Sequence, residues 1–250
     1  MLKALHIILA LSWLTSSYTE AALLSKLELK EDARVAVITG TFSPPHRRHD
    51  EIFEGVAARE DVDYIVVLPN DIPVHKPFAL DIRDRLAVLQ LAYSNHPKII
   101  VVDNYQDLRA PLASNALKFL QGLNPTTEIT AVIGADAAKS RITQIGGVFQ
   151  NVNSWLIVST NPNELEALPN RFAFKPAEKL HIPTKGDVRS TELRNALQNK
   201  DYEAAADFLH PSVLIYIKDQ SLYSEPTPKA KIGDYLDACQ RALGLIFKKK

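Results

Sequence analysis

The stretch from Val35 to Val56, VAVITGTFSPPHRRHDEIFEGV, restricts the possible folds of this chain more than any other stretch. Its β-branched apolar run, Val35–Ile38, is long enough for one buried strand. Thr39–Pro45 then predicts a turn, because Gly40 can take a positive φ and the two prolines exclude a helix. From His46 the apolar residues recur on one helical face, which predicts a helix. A strand, a glycine turn and a helix start in this order predict an anion site, since the first N–H groups of a helix point outward unpaired.

Two histidines stand at the start of this predicted helix. His46 and His49 are three residues apart and therefore share one helical face. Two imidazoles beside the positive end of a helix suit a polyphosphate.

The segment GTFSPPHRRH is similar to the GTFDPxHxGH signature of the nucleotidyltransferase superfamily. In that superfamily the two histidines contact the phosphates of a bound nucleoside triphosphate. The resemblance implies a catalytic role for His46 and His49, and nucleotide binding by Gly40, Thr41 and Phe42. Arg48 stands where the signature has a glycine, which in the family lets the nucleotide approach the helix closely.

The order of apolar segments along the chain predicts the fold class. Helical segments, over Ile82–Tyr93, over about Leu112–Leu120 and after Gly134, alternate with runs of strand length. These runs are Val35–Ile38, Tyr64–Leu68, Lys98–Val102, Glu128–Ile133 and Trp155–Val158. Such alternation predicts an α/β, Rossmann-like fold with a mainly parallel sheet and helices on both faces. Ligands of such sheets bind beyond the carboxyl ends of the strands, where the loops after strands one, two and four lie. The segment Thr160–Thr184 contains prolines and is expected to be irregular.

A second candidate site lies at Lys185–Leu197, KGDVRSTELRNAL. Ser190 can begin a helix there, and Arg194, one turn later, can reach back toward the same anion. RSTELR resembles the second superfamily signature, ISSTxxR, although Arg189 replaces the first serine. The resemblance implies that Ser190, Thr191 and Arg194 hold the triphosphate opposite the two histidines.

Further segments are similar to the nicotinate mononucleotide adenylyltransferases, over about Ala33 to Tyr223. LPNDIPVHKP followed by DRLAVLQLA resembles a P-x-H-[KR] loop before an R-x-x-M-L helix, and PSVLIYIKDQSLY resembles the end of the family's domain. The resemblance implies that His75 and Lys76 contact the acceptor. IGAD is similar to the family's G-x-D, which implies nucleotide binding by Gly134 and Asp136, the latter near the ribose.

Together these resemblances imply transfer of AMP from ATP to nicotinate mononucleotide, with release of pyrophosphate, in NAD biosynthesis. They imply Mg²⁺ as the cofactor, brought with ATP and held by substrate and water oxygens rather than by a protein site. Three alternatives stay open. They are a transferase with another phosphate acceptor, a catalytically impaired nucleotide-binding protein, as Arg48 and Arg189 suggest, and a metal hydrolase that uses His46, His49 and Asp50.

The composition excludes several other classes of protein. The chain has 250 residues with 29 basic and 29 acidic side chains, so no overall field favours nucleic acid as a partner. Its single cysteine, Cys239, excludes an internal disulfide framework and a cysteine metal cluster.

The two ends of the chain differ from the domain between residues 33 and 223. Residues 1–22 have a basic start, an apolar middle and small residues after it, the pattern of a secretory signal peptide. This pattern predicts a periplasmic or secreted protein whose mature chain begins near Ala21–Leu23, with a cytoplasmic protein as the alternative. Residues 224–250 are expected to form a linker and an amphipathic helix that packs on the domain, with contact to a membrane surface as the lesser alternative.

Overall fold

The computed structural model describes residues 28–70, 79–101, 112–141, 152–172, 175–184 and 190–224. The strands β1 to β7 cover Arg34–Gly40, Tyr64–Pro69, Ile99–Val101, Glu128–Gly134, Ser154–Ser159, Arg171–Phe172 and Lys175–His181. The helices α1 to α8 cover Arg47–Ala57, Ile82–Tyr93, Leu112–Leu123, Ala135–Arg141, Pro162–Glu166, Ser190–Gln198, Tyr202–Ala206 and Pro211–Asp219.

The strands form one sheet in the order β3-β2-β1-β4-β5-β7-β6. Six of them are parallel, and only the short edge strand β6 runs antiparallel to its neighbour. The chain moves from β1 toward one edge and then from β4 toward the other. Right-handed crossovers therefore place the helices of the two halves on opposite faces. The α/β, Rossmann-like prediction is confirmed, and the strand order reverses between β1 and β4, where such sheets bind ligands.

Two apolar clusters hold the helices in place. The larger one contains the central strands, whose apolar residues are almost completely buried, as in a sheet covered on both faces. The smaller one joins α2 to the carboxyl-terminal helices through Val88, Leu193, Leu197, Val213 and Ile217. Because α2 contributes to both clusters, it fixes α6 beside the start of α1.

The predicted strands and helices up to Ser159 lie where the sequence placed them, with small changes at their ends. The expectation that Thr160–Thr184 is irregular is wrong, because α5, β6 and β7 lie within it. The sequence of β7, KPAEKLH, has no apolar run that would predict a strand, since most of its residues are charged or polar and only Ala177 is buried. It forms a strand because it pairs with β5 along its length.

Several predictions lie outside the described residues. These are the leader over residues 1–22, the loop with His75 and Lys76, Arg189, and the helix predicted after residue 224. Within the described ranges, no helix combines the length and the apolar character needed to cross a membrane.

Candidate active site

The two histidines lie together at the start of α1. His46 is the residue immediately before the helix, and its backbone N–H donates to Nδ1 of His49 at 3.2 Å. The two rings are 4.0 Å apart between centroids. Because Nδ1 of a neutral His49 accepts this hydrogen bond, its proton lies on Nε2, where it can be donated to an anion.

The two sequence signatures are in direct contact. His46 is only 4% exposed, and its Nε2 lies 2.9 Å from Oγ of Ser190, the first residue of α6. The start of α6 therefore lies against His46, while the predicted role of both in holding a triphosphate stays a prediction. The same contact places the N-terminus of α6 next to that of α1, and each N-terminus favours negative charge.

Arg194 is 7% exposed and donates to the carbonyl oxygen of Ser43 at 3.3 Å and to Oγ1 of Thr191 at 3.2 Å. Burial lowers the pKa of its guanidinium, which nevertheless stays charged at neutral pH. Arg194 thus places a positive charge beside the loop after β1 and holds that loop in position. Thr191 itself is exposed.

A second buried arginine holds the same loop. Arg85, only 1% exposed, donates to the carbonyl oxygens of Thr41, Asn70 and Leu80 at 3.1, 2.7 and 2.9 Å. These carbonyls belong to the loops after β1 and β2 and to Leu80, which precedes the N-cap residue of α2. A single guanidinium therefore fixes the relative positions of three segments at the carboxyl end of the sheet.

Ser43 and Tyr223 connect this loop to the end of the described chain. Their hydroxyl groups share a hydrogen bond at 2.9 Å, and Oγ of Ser43 also accepts the backbone N–H of Leu80 at 3.0 Å. Tyr223 is 4% exposed, and burial raises the pKa of its phenol well above the ordinary value. Ser43 occupies the place of the aspartate in the GTFDP signature.

The conformation expected for Gly40 is wrong, since no glycine in the described part of the chain has a positive φ. Phe42 takes the left-handed conformation instead, with φ of 48°, and its ring folds back over Gly40. A Cβ at position 40 would lie 2.6 Å from Cζ of Phe42. Gly40 is therefore needed for space rather than for backbone conformation, and the Phe42 ring in turn packs edge-on against His49.

Gly134 and Asp136 lie at the end of β4, the strand next to β1. Asp136 is exposed in the first turn of α4, and its Oδ1 would lie 2.6 Å from a Cβ at position 134. The strand order thus brings both residues to the edge of the sheet that carries the histidines. Their assigned contact with the ribose stays a prediction.

Arg48 does not extend into solvent. It is half-buried, and its Nη2 donates to Oγ1 of Thr160 at 3.1 Å. Thr160 directly follows β5, and its carbonyl oxygen lies 3.2 Å from Nε2 of His181 at the end of β7. Arg48 therefore connects α1 to the far half of the sheet.

The carboxylate of Asp50 belongs to the packing between helices. It accepts the hydroxyl of Tyr93 on α2 at 2.5 Å, and burial raises its pKa. The described residues contain no group of three or more histidine, cysteine, aspartate or glutamate side chains suited to a metal ion. The geometry of the described site thus gives no support to the hydrolase alternative.

Sequence reasoning assigned no role to four residues that shape this site: Ser43, Arg85, Thr160 and Tyr223. Arg85 and Tyr223 lie in segments that carry the family resemblance, so a signal for them existed. No sequence signal pointed to Thr160, because its position near Arg48 depends on the order of the strands in the sheet, which the sequence does not reveal. The roles assigned to His46, His49, Ser190, Thr191 and Arg194 stay predictions, although these residues do lie together.

Comparison with known proteins identifies related chains. A family model described as Cytidylyltransferase-like matches residues 37–196. A protein of Citrifermentans bemidjiense is 27% identical over 214 residues, covering 76% of this chain and 98% of the relative. A protein of Oceanobacillus iheyensis is 27% identical over 195 residues, covering 76% of this chain and 96% of the relative. Both are named "Probable nicotinate-nucleotide adenylyltransferase".

A solved structure agrees in fold. It is the Plasmodium falciparum nicotinic acid mononucleotide adenylyltransferase complexed with NaAD. Its TM-score is 0.59 at 17% identity, with 77% of this chain and 98% of that chain covered.

Proposed function

The chain belongs to the cytidylyltransferase-like family, and we propose that it transfers AMP from ATP to nicotinate mononucleotide, releasing pyrophosphate. The observation that carries the proposal is the hydrogen bond between His46 and Ser190, which joins the two triphosphate signatures into one site. The relatives named as nicotinate-nucleotide adenylyltransferases align over nearly their whole length, which supports this acceptor.

The reaction needs positioning and charge neutralisation more than a protein nucleophile. An oxygen of the acceptor phosphate attacks the α-phosphorus of ATP in line. The bond from the α-phosphorus to the bridging oxygen breaks, and pyrophosphate leaves with the electron pair.

His49 is the side chain that we assign to the α-phosphate, because its Nε2 proton can be donated to the charge that develops there. His46, more deeply buried, orients His49 through its backbone N–H and holds α6 in place through Ser190. The starts of α1 and α6, together with the charge of Arg194, hold the β- and γ-phosphates of the leaving group.

Magnesium would enter with the triphosphate and neutralise charge on the phosphate oxygens that become pyrophosphate. Mg²⁺ typically keeps several waters and needs only one or two protein carboxylates. Such a loosely held ion does not need a preformed group of protein ligands. Asp136, exposed at the same edge, is the residue that could supply a ligand or bind its water.

Two narrower alternatives stay open. A different phosphate acceptor, contacted by the loop that carries His75 and Lys76, would keep the triphosphate site unchanged. Arg48 places a long side chain, bonded to Thr160, where the family signature has glycine, so a protein that binds nucleotide without transferring it is the second alternative.

The test is pyrophosphate release from ATP and nicotinate mononucleotide, with other phosphate acceptors compared in parallel. His49→Ala should lower turnover by about two to three powers of ten, as expected when a positioned donor is removed from a developing charge. His96→Gln, just before β3 at the amino-terminal end of the parallel strands, is the matched control and should leave turnover unchanged. Wild-type protein without pyrophosphate release, or equal loss in the two variants, would contradict the proposal.

A further inference from the structure

Arg48 lies across the crevice at which the strand order reverses. It belongs to α1, which follows β1, and it reaches Thr160, which follows β5. β4 lies between these strands, and strands in a sheet are about 4.8 Å apart, so the side chain bridges elements rising from strands about 10 Å apart. The side chain therefore crosses the carboxyl end of β4, and its guanidinium lies on the β5 side of the crevice between β1 and β4.

The two ends of this crevice differ in chemistry. On the side of β1 and β2 lie the start of α6 and the charge of Arg194, both fixed by packing on α2. On the side of β4 and β5 lie the exposed carboxylate of Asp136 and the neutral side chain of Thr160. A nucleotide whose phosphates occupy the positive side must extend its nucleoside toward β4 and β5, where Arg48 lies.

From this placement we propose that Arg48 determines the specificity for the nucleoside half of the donor, through contact of its guanidinium with the base. The inference rests on the proposed function for the position of the phosphates. An arginine side chain is planar and stacks on aromatic rings, so it can serve as a wall for a base. The bond to Thr160 uses an N–H at the edge of the guanidinium and therefore does not itself cover either face.

The surroundings of Arg48 argue against a phosphate ligand. Arg48 donates to the neutral hydroxyl of Thr160, whose carbonyl oxygen is in contact with His181. Both residues extend from the ends of β5 and β7, on the side of the sheet away from α6. A phosphate ligand on α1 would instead be expected to point toward Ser190, where the two helix starts meet, whereas the Arg48 side chain points toward Thr160.

The experiment compares two probes by calorimetric titration at constant magnesium, namely ATP and inorganic tripolyphosphate, which lacks base and ribose. The measured quantity is the ratio of the dissociation constant for tripolyphosphate to that for ATP. Arg48→Ala should lower this ratio roughly threefold to thirtyfold, the range of a cation–π contact. Arg48→Lys, which keeps the charge but loses the plane, should lower it too.

Arg47→Ala is the matched control, because Arg47 is an exposed arginine one position earlier in the same helical turn. It removes the same charge and should weaken both probes equally, leaving the ratio unchanged. Thr160→Val removes the hydroxyl and, made in otherwise wild-type protein, should lower the ratio of the two dissociation constants. In the Arg48→Ala background it should have no further effect, since the two residues act as a pair.

Four results would overturn the inference: an equal ratio in the Arg47 and Arg48 variants, tighter ATP binding by Arg48→Ala, additive effects of Thr160→Val, and wild-type protein that binds neither probe. Failure of the proposed function gives a different pattern. In that case the ratio changes as expected in Arg48→Ala while wild-type protein releases no pyrophosphate with nicotinate mononucleotide.

Discussion

At the residue scale, the loop after β1 is shaped by side chains that have little space to move. The ring of Phe42 fills the space over Gly40 and touches His49 and Phe53 edge-on. The carbonyl oxygens of Thr41 and Ser43 accept hydrogen bonds from two buried arginines, Arg85 and Arg194. A displacement of the Phe42 ring would therefore be transmitted directly to the imidazole that we assign to the α-phosphate.

Gly40→Ala should destabilise the fold and weaken ATP binding together. The added Cβ would meet the Phe42 ring at 2.6 Å, and relieving such an overlap in a packed core costs about 1–3 kcal/mol. Urea unfolding and ATP titration measure the two effects. Gly122→Ala is the control, because a Cβ at that helical position meets nothing within 4 Å, and it should leave stability unchanged or raise it by about 0.4–1 kcal/mol. Equal stability of the two variants would contradict the packing argument.

At the element scale, both ends of α1 are held by residues from elsewhere in the chain. The N–H of Arg47, in the first turn, donates to the carbonyl oxygen of Phe208 at 2.9 Å. At the other end, Nζ of Lys98 donates to the carbonyl oxygens of Ala57 and Val62 at 2.7 and 2.8 Å. A positive charge at the C-terminus of a helix also stabilises its dipole. These contacts fix the axial position of α1 and hence the position of both histidines.

Lys98→Met should lower the free energy of unfolding by about 1–3 kcal/mol. The methionine keeps most of the apolar stem but removes a charged donor that satisfies helix-end carbonyls, and hydrogen bonds to charged groups are worth about that much. Urea unfolding at neutral pH measures the loss. Lys118→Met, on the exposed surface of α3, is the control and should change stability by less than about 0.5 kcal/mol. A loss of the same size in both variants would mean that Lys98 does not act through the end of α1.

The individual strands also show how much of the fold and of the candidate site could be predicted from the sequence. Strands such as Tyr64–Pro69 are apolar throughout, because both faces of a parallel strand are buried, and their pattern reveals them. Strand β7 could not be found in this way, since its partner β5, and not its own sequence, makes it a strand. The two signatures predicted most of the candidate site, but the bond from Arg48 to Thr160 depends on strand order, which no local pattern contains.

At the scale of the whole molecule, the first loop and the end of the described chain are joined in the interior. Ser43 and Tyr223 are 180 residues apart in sequence and share a buried hydrogen bond. Tyr223 belongs to the smaller apolar cluster, whereas Phe42, next to Ser43, belongs to the larger one. The bond therefore links the two clusters directly behind the candidate site, so that the carboxyl-terminal helices and the first loop should unfold as one unit.

This link predicts how stability depends on alkaline pH. Burial raises the pKa of the Tyr223 phenol above its ordinary value of 10, so the folded state keeps the proton after the unfolded state has lost it. The unfolded state then binds fewer protons, and the stability that neutral Tyr223 contributes is lost as pH rises through and above about 10. Tyr223→Phe should lower the free energy of unfolding by about 0.5–1.5 kcal/mol at neutral pH, because the hydrogen bond to Ser43 is lost. Because phenylalanine cannot ionise, the variant should lose less stability than the wild type between pH 9.5 and pH 11.

Ser43→Ala separates this effect from simple destabilisation, because it removes the same hydrogen bond but leaves the buried phenol in place. It should lower stability at every pH and keep the steep alkaline decline of the wild type. Urea midpoints measured at half-unit steps of pH give the three curves. Because Tyr93, on α2, is also buried and has a raised pKa, the decline in Tyr223→Phe should be reduced rather than abolished. Parallel curves for wild type and Tyr223→Phe would mean that Tyr223 does not stay buried and protonated in the folded protein, and the link between the two clusters would then fail with it.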